Sequence, residues 1–374
     1  MSYKSIEAVQ EALSQTTFKE RKDSRKAAGR ALGTLVELIT YYLLKDYGLM
    51  KNICIERPLR EYANDEIKHN VEFTLHCSKE IAEIGFKLSD SLTLTRILNA
   101  ADLGFGNEFN KKNNNPYKVG LIKNAATLLE SPKTIINAYV DSSNNTLAIC
   151  ELDTAPFAMF ECKRVGVEKG MKKGPQTIEK AKQGAYVSRT VSRLQRFKKL
   201  DGTIAGIIEE DNGEIRVGNY DEMLADLISK GKASSLRDIV VTVGVISNHG
   251  NWFTSENQNK ETKVLSQSYD WLLFLTDDGL TQFINDALLG DDEKMIATKK
   301  AFADCYDKSY PTKTSFTKTW LPYEADKELT EYFASHKAEI SSWFNVLTPK
   351  NSTVEDLMKE LNDLMEVERE EVEF

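Results

Sequence analysis

The chain of 374 residues is poor in the side chains that hold soft metals or close disulfides. It has four histidines and five cysteines. His69, His76, His249 and His336 are scattered, and no Cys/His spacing matches a zinc site. Cys54, Cys77, Cys150, Cys162 and Cys305 are an odd number without a CxxC pair. Most sit in apolar surroundings, so the expectation is buried free thiols in a reducing cytoplasm. No apolar run approaches the roughly 20 residues of a membrane span. The opening stretch, "MSYKSIEAVQEALSQTTFKERKDSRK", lacks an apolar signal core. Neither membrane insertion nor secretion is expected, and a cytoplasmic location is. There is no internal repeat and no low-complexity linker.

What is present reads as an ordinary globular protein, with 41% hydrophobic and 28% charged residues. Its length fits one large domain or two smaller ones. The net charge of −8 argues against a nucleic-acid partner until its distribution is considered. Residues 161–199 hold twelve Lys/Arg against three Glu, a local balance of +9. The final 24 residues hold nine acids against two bases, a balance of −7. One concentrated basic stretch in an acidic protein suits local phosphate binding. A solvated helix face is the plainer alternative.

The apolar pattern changes period along the chain. In "AAGRALGTLVELITYYLLKDY", residues 27–47, Leu32, Leu35, Ile39, Tyr42 and Leu43 fall on one helical face. Residues 117–130 are expected to form another helix, after the Asn-rich loop 110–116. Then come "TIINAYV" (134–140), "TLAICEL" (146–152) and "FAMFECK" (157–163), separated by "DSSNN" and "DTAP". They predict an antiparallel meander of three strands. Gly174-Pro175 opens a predicted helix over 176–198. Strands are expected at 238–246 and 269–276, with a polar loop at 247–263 between them. That loop carries "SNHGNW", residue types able to contact or stack on bases. Ser352 to Glu355 reads as a capping box before a helix with Leu357, Leu361, Leu364 and Met365 on one side. The expected organisation is an N-terminal helical region (1–116), a core (117–280) and a C-terminal helical region (281–374).

The end of the third strand carries the candidate chemistry. Side chains alternate across a strand, so Glu161 and Lys163 share a face and Cys162 takes the other. A carboxylate and an ammonium at the rim of an apolar face cost desolvation unless something uses them. A Mg²⁺ ion is one such use, held by one or two carboxylates, with the lysine placed against charge developing on a phosphate. An ordinary strand-end ion pair is the other reading. Asp141 ends the preceding strand and is the candidate second ligand. Its rival, Asp153, would stand at the tip of a "DTAP" turn, four strand steps or roughly 13 Å from Glu161 by way of Phe157. Glu37, an acid in the apolar helix, is a third candidate, or faces solvent.

This arrangement resembles the PD-(D/E)xK nuclease superfamily, which includes type II restriction endonucleases. Val140-Asp141 stands where the family has Pro-Asp, Glu161-Cys162-Lys163 matches (D/E)xK, and Glu37 sits where an acid of the first core helix is often found. The likeness in element order covers about residues 27–280. It implies an α/β restriction-endonuclease-like mixed sheet flanked by helices. It also implies a Mg²⁺-dependent endonuclease on double-stranded DNA, with Asp141, Glu161, Lys163 and Glu37 as site residues. A homodimer is expected for palindromic targets. A repair or recombination nuclease, or a non-catalytic DNA-binding protein on the same fold, are the alternatives. The basic run would serve the DNA backbone. Lys182, Arg189, Arg193 and Arg196 follow spacings that line one helical face, and Lys172 and Lys173 precede them.

Overall fold

The computed structural model describes residues 4–19, 22–59, 70–112, 114–165, 181–182, 184–187, 192–210, 212–230, 239–248, 251–290, 293–306 and 315–366. Two helices lead, α1 (Ile6–Gln15) and α2 (Ser24–Asp46). α2 forms because its leucines, Ile39 and tyrosines recur every three or four residues, and it buries that stripe from Ala28 to Leu44. Strands β1 (Ile53–Ile55) and β2 (Phe73–Gly85) follow. Next come β3 (Asn110–Lys111), β4 (Tyr117–Lys118), β5 (Leu121–Lys123) and β6 (Ala126–Glu130). Residues 117–130 are therefore strands and not the expected helix. Val119, Gly120 and Ala125 take left-handed backbone angles, φ 43°, 78° and 48°. Those turns cut the segment into pieces too short for a helix.

β7 (Thr134–Asp141) and β8 (Thr146–Arg164) form the expected hairpin, but β8 is one strand of 19 residues. The "DTAP" turn does not exist. Two neighbours share one edge of β8 in succession. β7 pairs with it from Thr146 to Asp153, and a later strand from Ala158 onward. Pro156 falls in the gap between them, opposite His76 of β2, at a register shift of the β2–β8 ladder. On the opposite edge β2 runs antiparallel along β8, from Gly85↔Thr146 to Phe73↔Phe160, with several register shifts.

Beyond β8 a small sheet is built from β9 (Gln195–Lys198), β10 (Ile204–Glu209) and β11 (Ile215–Asn219). The expected helix 176–198 thus gives way to a strand at its C-terminal end; 184–187 are helical, and most of the rest lies outside the described residues. β12 (Val241–Ser247) and β13 (Trp271–Leu275) extend the main sheet in parallel with β8, and β15 (Phe344–Thr348) closes that side antiparallel to β13. The main sheet runs β15-β13-β12-β8-β7-β6-β3, with β2 and β1 branching from β8. β14 (Trp320–Pro322) joins β5 and β4 in a third sheet.

The result is a large mixed sheet flanked by helices. The segments marked in the sequence at 116 and 280 do not separate in space. β2 from the first and β15 from the last belong to the sheet that contains β8, and one apolar cluster runs from Ile6 to Leu364. The five cysteines are free thiols. Among the described residues no helix is long and apolar enough to cross a membrane.

Candidate functional site

Glu161 and Lys163 stand near the C-terminal end of β8, where alternation puts both on one face. Lys163 Nζ lies 2.9 Å from Glu161 Oε1. Cys162 faces the other way and donates its thiol to Thr40 Oγ1 of α2 at 3.5 Å. Burial pushes that thiol well above the ordinary cysteine range, so it acts as an apolar filler.

The second carboxylate comes from β2. Phe73 pairs with Phe160, so Glu72, one residue before β2, stands opposite Glu161, one residue after Phe160. Directly opposed residues share a face. Lys163 Nζ reaches Glu72 Oε1 at 3.4 Å. One ammonium therefore joins the two acids. Burial opposes its charge, yet the charge of Glu161 and the bond to it outweigh burial, and the Lys163 pKa is raised.

A second lysine completes the cluster. Lys318 pairs with Glu72, with Glu37 Oε2 at 3.0 Å and with Glu56 Oε1 at 2.8 Å. Its side chain is 3% exposed. Two backbone features bring it there. β14 pairs with β5, and Asn124 donates its side-chain amide to the Lys318 carbonyl at 2.9 Å. Glu56 holds a left-handed backbone, φ 48°, which is uncommon for a residue other than glycine. Strain of this kind gathers at sites where a side chain must be aimed.

Close packing fixes the acid in its place. A Cβ on Gly184 would come within 3.1 Å of the Glu161 Cβ. Gly244 pairs with Glu161 in the parallel β8–β12 ladder, and a Cβ there would meet Leu272 and the Tyr269 ring at 2.8–3.0 Å. Tyr269 lies buried beneath, and its hydroxyl donates to the Ala181 carbonyl at 2.5 Å. The short helical segment 184–187 thus packs directly onto Glu161.

Asp141 is elsewhere. It pairs with Thr146, fifteen residues before Glu161 on the same strand, roughly 50 Å away along an extended chain. Its carboxylate accepts from Ser143 N, Asn144 N and Asn144 Nδ2 and closes the β7–β8 turn. It is a turn residue, and Glu72 takes the place expected for it. Asp153 is mid-strand, and its carbonyl accepts from His76 Nδ1. Glu37 does join the cluster, through Lys318.

The basic stripe is divided. Arg196 lies in β9 and donates to the Tyr269 carbonyl, with Asp270 at 3.7 Å. Arg193 Nε donates to the Glu209 carbonyl at 2.8 Å. Both are held by the protein itself and do not extend a helical face. Lys182 stays on the segment beside the site, with Nζ 5.9 Å from the Tyr186 ring centre. Lys172, Lys173 and Arg189 lie outside the described residues.

Among the described residues, four carboxylates, Glu37, Glu56, Glu72 and Glu161, thus meet two ammonium groups, Lys163 and Lys318. Four minus two leaves a formal charge of −2. Carboxylate oxygens are the ligands that a hard divalent cation takes. Among the described residues no three acidic, His or Cys side chains stand close enough to enclose one. The carboxylates here are gathered around ammonium groups instead. Comparison with protein-family models, curated proteins and solved structures finds no match to this chain.

Proposed function

We propose that the chain is a Mg²⁺-dependent endonuclease that hydrolyses phosphodiester bonds in double-stranded DNA. The observation that carries this reading is the meeting of Glu72, Glu161 and Lys163 across the β2–β8 pair. Glu72 and Glu161 would hold the cation, which supplies a compact double charge against the charge developing on the phosphate. Lys163 keeps its proton and presents its ammonium to the same phosphate, held in place by both acids. Glu37 orients Lys318. Lys182 and the lysine-rich stretch before it offer charges for the DNA backbone.

The likeness to PD-(D/E)xK nucleases supports the same chemistry. There, an acid at the start of one strand and an (D/E)xK ending the next serve one site. Glu72 and Glu161-Cys162-Lys163 meet across paired strands, although β3 to β7 lie between them in the chain. On this reading a sequence-specific restriction enzyme acting as a cytoplasmic homodimer is the specific form proposed. A purely structural ion-pair network is the competing reading, favoured by the depth at which Lys318 is buried.

The test is incubation with plasmid and phage DNA in Mg²⁺ and in EDTA. Discrete fragments in Mg²⁺ alone are expected. A smear would remove the sequence specificity, and intact DNA under all conditions would leave the structural network standing.

A further inference from the structure

The chain leaves β12 at the end of the sheet where Lys163 stands, since β12 runs parallel to β8. Ile246 pairs with Lys163 on one side and with Phe274 on the other. Paired residues of neighbouring strands share a face. The Phe274 side chain therefore lies on the face of Glu161 and Lys163, two strand spacings or roughly 10 Å along the row. Asn345 of β15 is the next residue of that row.

Phe253 is built onto this row. Its ring packs edge-on against Phe274 with centres 5.1 Å apart, and its carbonyl accepts from Asn345 Nδ2 at 2.9 Å. It is buried in one apolar cluster with Val165, Ala181 and Ala185, which border the site. Trp252 rests on Phe253, with ring centres 5.6 Å apart, yet it is 59% exposed. On its other side, Asn251 Oδ1 accepts from Asp278 N at 3.0 Å. Single exposed apolar residues are common on any surface. This one is an indole whose two chain neighbours are both fixed, whereas Trp271 and Trp343 are buried.

We infer that Trp252 contacts the bases of bound DNA: its indole stacks on a base exposed within one helical turn of the phosphate at Lys163. The inference rests on the proposed endonuclease, and it adds a residue that touches bases rather than the backbone.

The chemistry of the side chain favours a base over a phosphate. An indole carries no charge and a single N–H donor, so it offers a phosphate little. Its π-face matches the face that every base presents. In a duplex those faces are covered by their neighbours, so a step must open to admit the ring, as it does for inserted apolar side chains. A ring supported from below loses little further freedom on making that contact. The distance suits it as well. A duplex lying over Lys163 spans about 34 Å per turn, several times the roughly 10 Å that separates Lys163 from Phe274 along the row.

Titration of a fluorescein-labelled duplex oligonucleotide and of its single strand with the protein, at low salt in EDTA and again in Ca²⁺, tests this. Anisotropy is expected to show Trp252→Ala binding both DNAs roughly tenfold more weakly than wild type, the usual loss of one base stack. The dependence of affinity on salt should keep its slope, since no phosphate contact is lost. Trp252→Phe should keep most of the affinity, because a phenyl ring still stacks. Indole fluorescence should fall when DNA is added to wild type, and further with the single strand, whose bases are already open. Trp252→Phe should lose that response. Equal affinities in wild type and Trp252→Ala, or a shallower salt slope in the variant, would overturn the base contact and leave the endonuclease standing. So would loss of self-association in Trp252→Ala with DNA affinity unchanged, which would assign the indole to a second copy of the chain. If wild type bound neither DNA in either condition at micromolar protein, the endonuclease reading itself would fall and the inference with it.

Discussion

Glu72 and Glu161 are side by side because antiparallel strands set partners face to face, and 89 residues of sequence separate them. Each is expected to matter for cleavage in a way that Asp141 does not. Glu72→Gln and Glu161→Gln should each lower Mg²⁺-dependent cleavage on the order of 10²–10³, the usual loss for one strong electrostatic contributor. Asp141→Asn should cleave at near wild-type rates, since its carboxylate binds only its own turn. Plasmid cleavage with matched circular dichroism reads this out. A folded but dead Asp141→Asn protein beside an active Glu72→Gln protein would refute the assignment. The residue scale also shows what a sequence can disclose. Glu161 and Lys163 are legible because a period of two places them on one face. Glu72 opens the apolar run "EFTLHC", and that is a signal, but its partner is set by register and not by nearness. Lys318 carries no local signal at all, because only the pairing of β14 with β5 delivers it.

At the scale of elements, the long strand and the last helix repay attention for opposite reasons. The sequence suggested a turn at Asp153–Pro156 because Asp, Thr and Pro usually mark one. Here the proline stands in the gap between the β7 and β12 pairings, and β2 still pairs with it through His76, so the strand continues. The helix Val354–Glu366 was legible from its stripe, while its capping pair is Thr353 with Asp356, one residue on from the expected Ser352 and Glu355. Thr353 Oγ1 accepts from Asp356 N at 3.2 Å, and Thr353 N donates back to Asp356 Oδ2 at 2.8 Å. That helix also brings Glu360 against the indole N–H of Trp271, at 3.2 Å, beside a cleft of about 560 Å³. Burial pushes the Glu360 carboxyl up to about 7, the Trp271 bond opposes this, and the charges of Asp270, Asp221 and Asp363 add to it. A carboxyl whose folded value is raised holds a proton that the unfolded chain has already released. Stability therefore falls as pH rises from about 4.5 towards 7 and stays lower above. Glu360→Gln should remove that loss and stabilise the protein at pH 8, by up to about 3 kcal/mol. Denaturant melts at pH 5 and pH 8 compare the two proteins. An equal fall in both would show that Glu360 is not the group responsible.

At the scale of the molecule, the two ends of the chain are tied through one buried carboxylate. Asp326 is fully buried on the helix Tyr323–Ser335. Its Oδ1 accepts from Tyr42 at 2.6 Å and from Lys45 at 3.1 Å, both on α2. Its Oδ2 accepts from Lys45 at 3.0 Å and from Ser142, in the β7–β8 turn, at 2.6 Å. An N-terminal helix, the middle of the chain and a C-terminal helix thus converge on one side chain. Nothing in the local sequence marks Asp326 for this, because each of its partners is more than 180 residues away. Burying an ion pair contributes little by itself, since desolvation offsets attraction, but removing one partner strands the other. The side chain of Lys45 is only 9% exposed, so Asp326→Ala leaves an ammonium without its counter-charge. The expected loss is about 3–5 kcal/mol, together with the hydroxyl bonds of Tyr42 and Ser142. The double change Lys45→Met with Asp326→Leu should recover a large part of it, because the stranded charge goes with its partner. Unfolding should remain one cooperative transition in every variant, since the sheet interleaves strands from both ends of the chain. Chemical denaturation of the two single variants and the double variant gives the coupling. Additive losses in the double variant would mean that Lys45 and Asp326 act independently, and that the ends of the chain are held together by apolar packing alone.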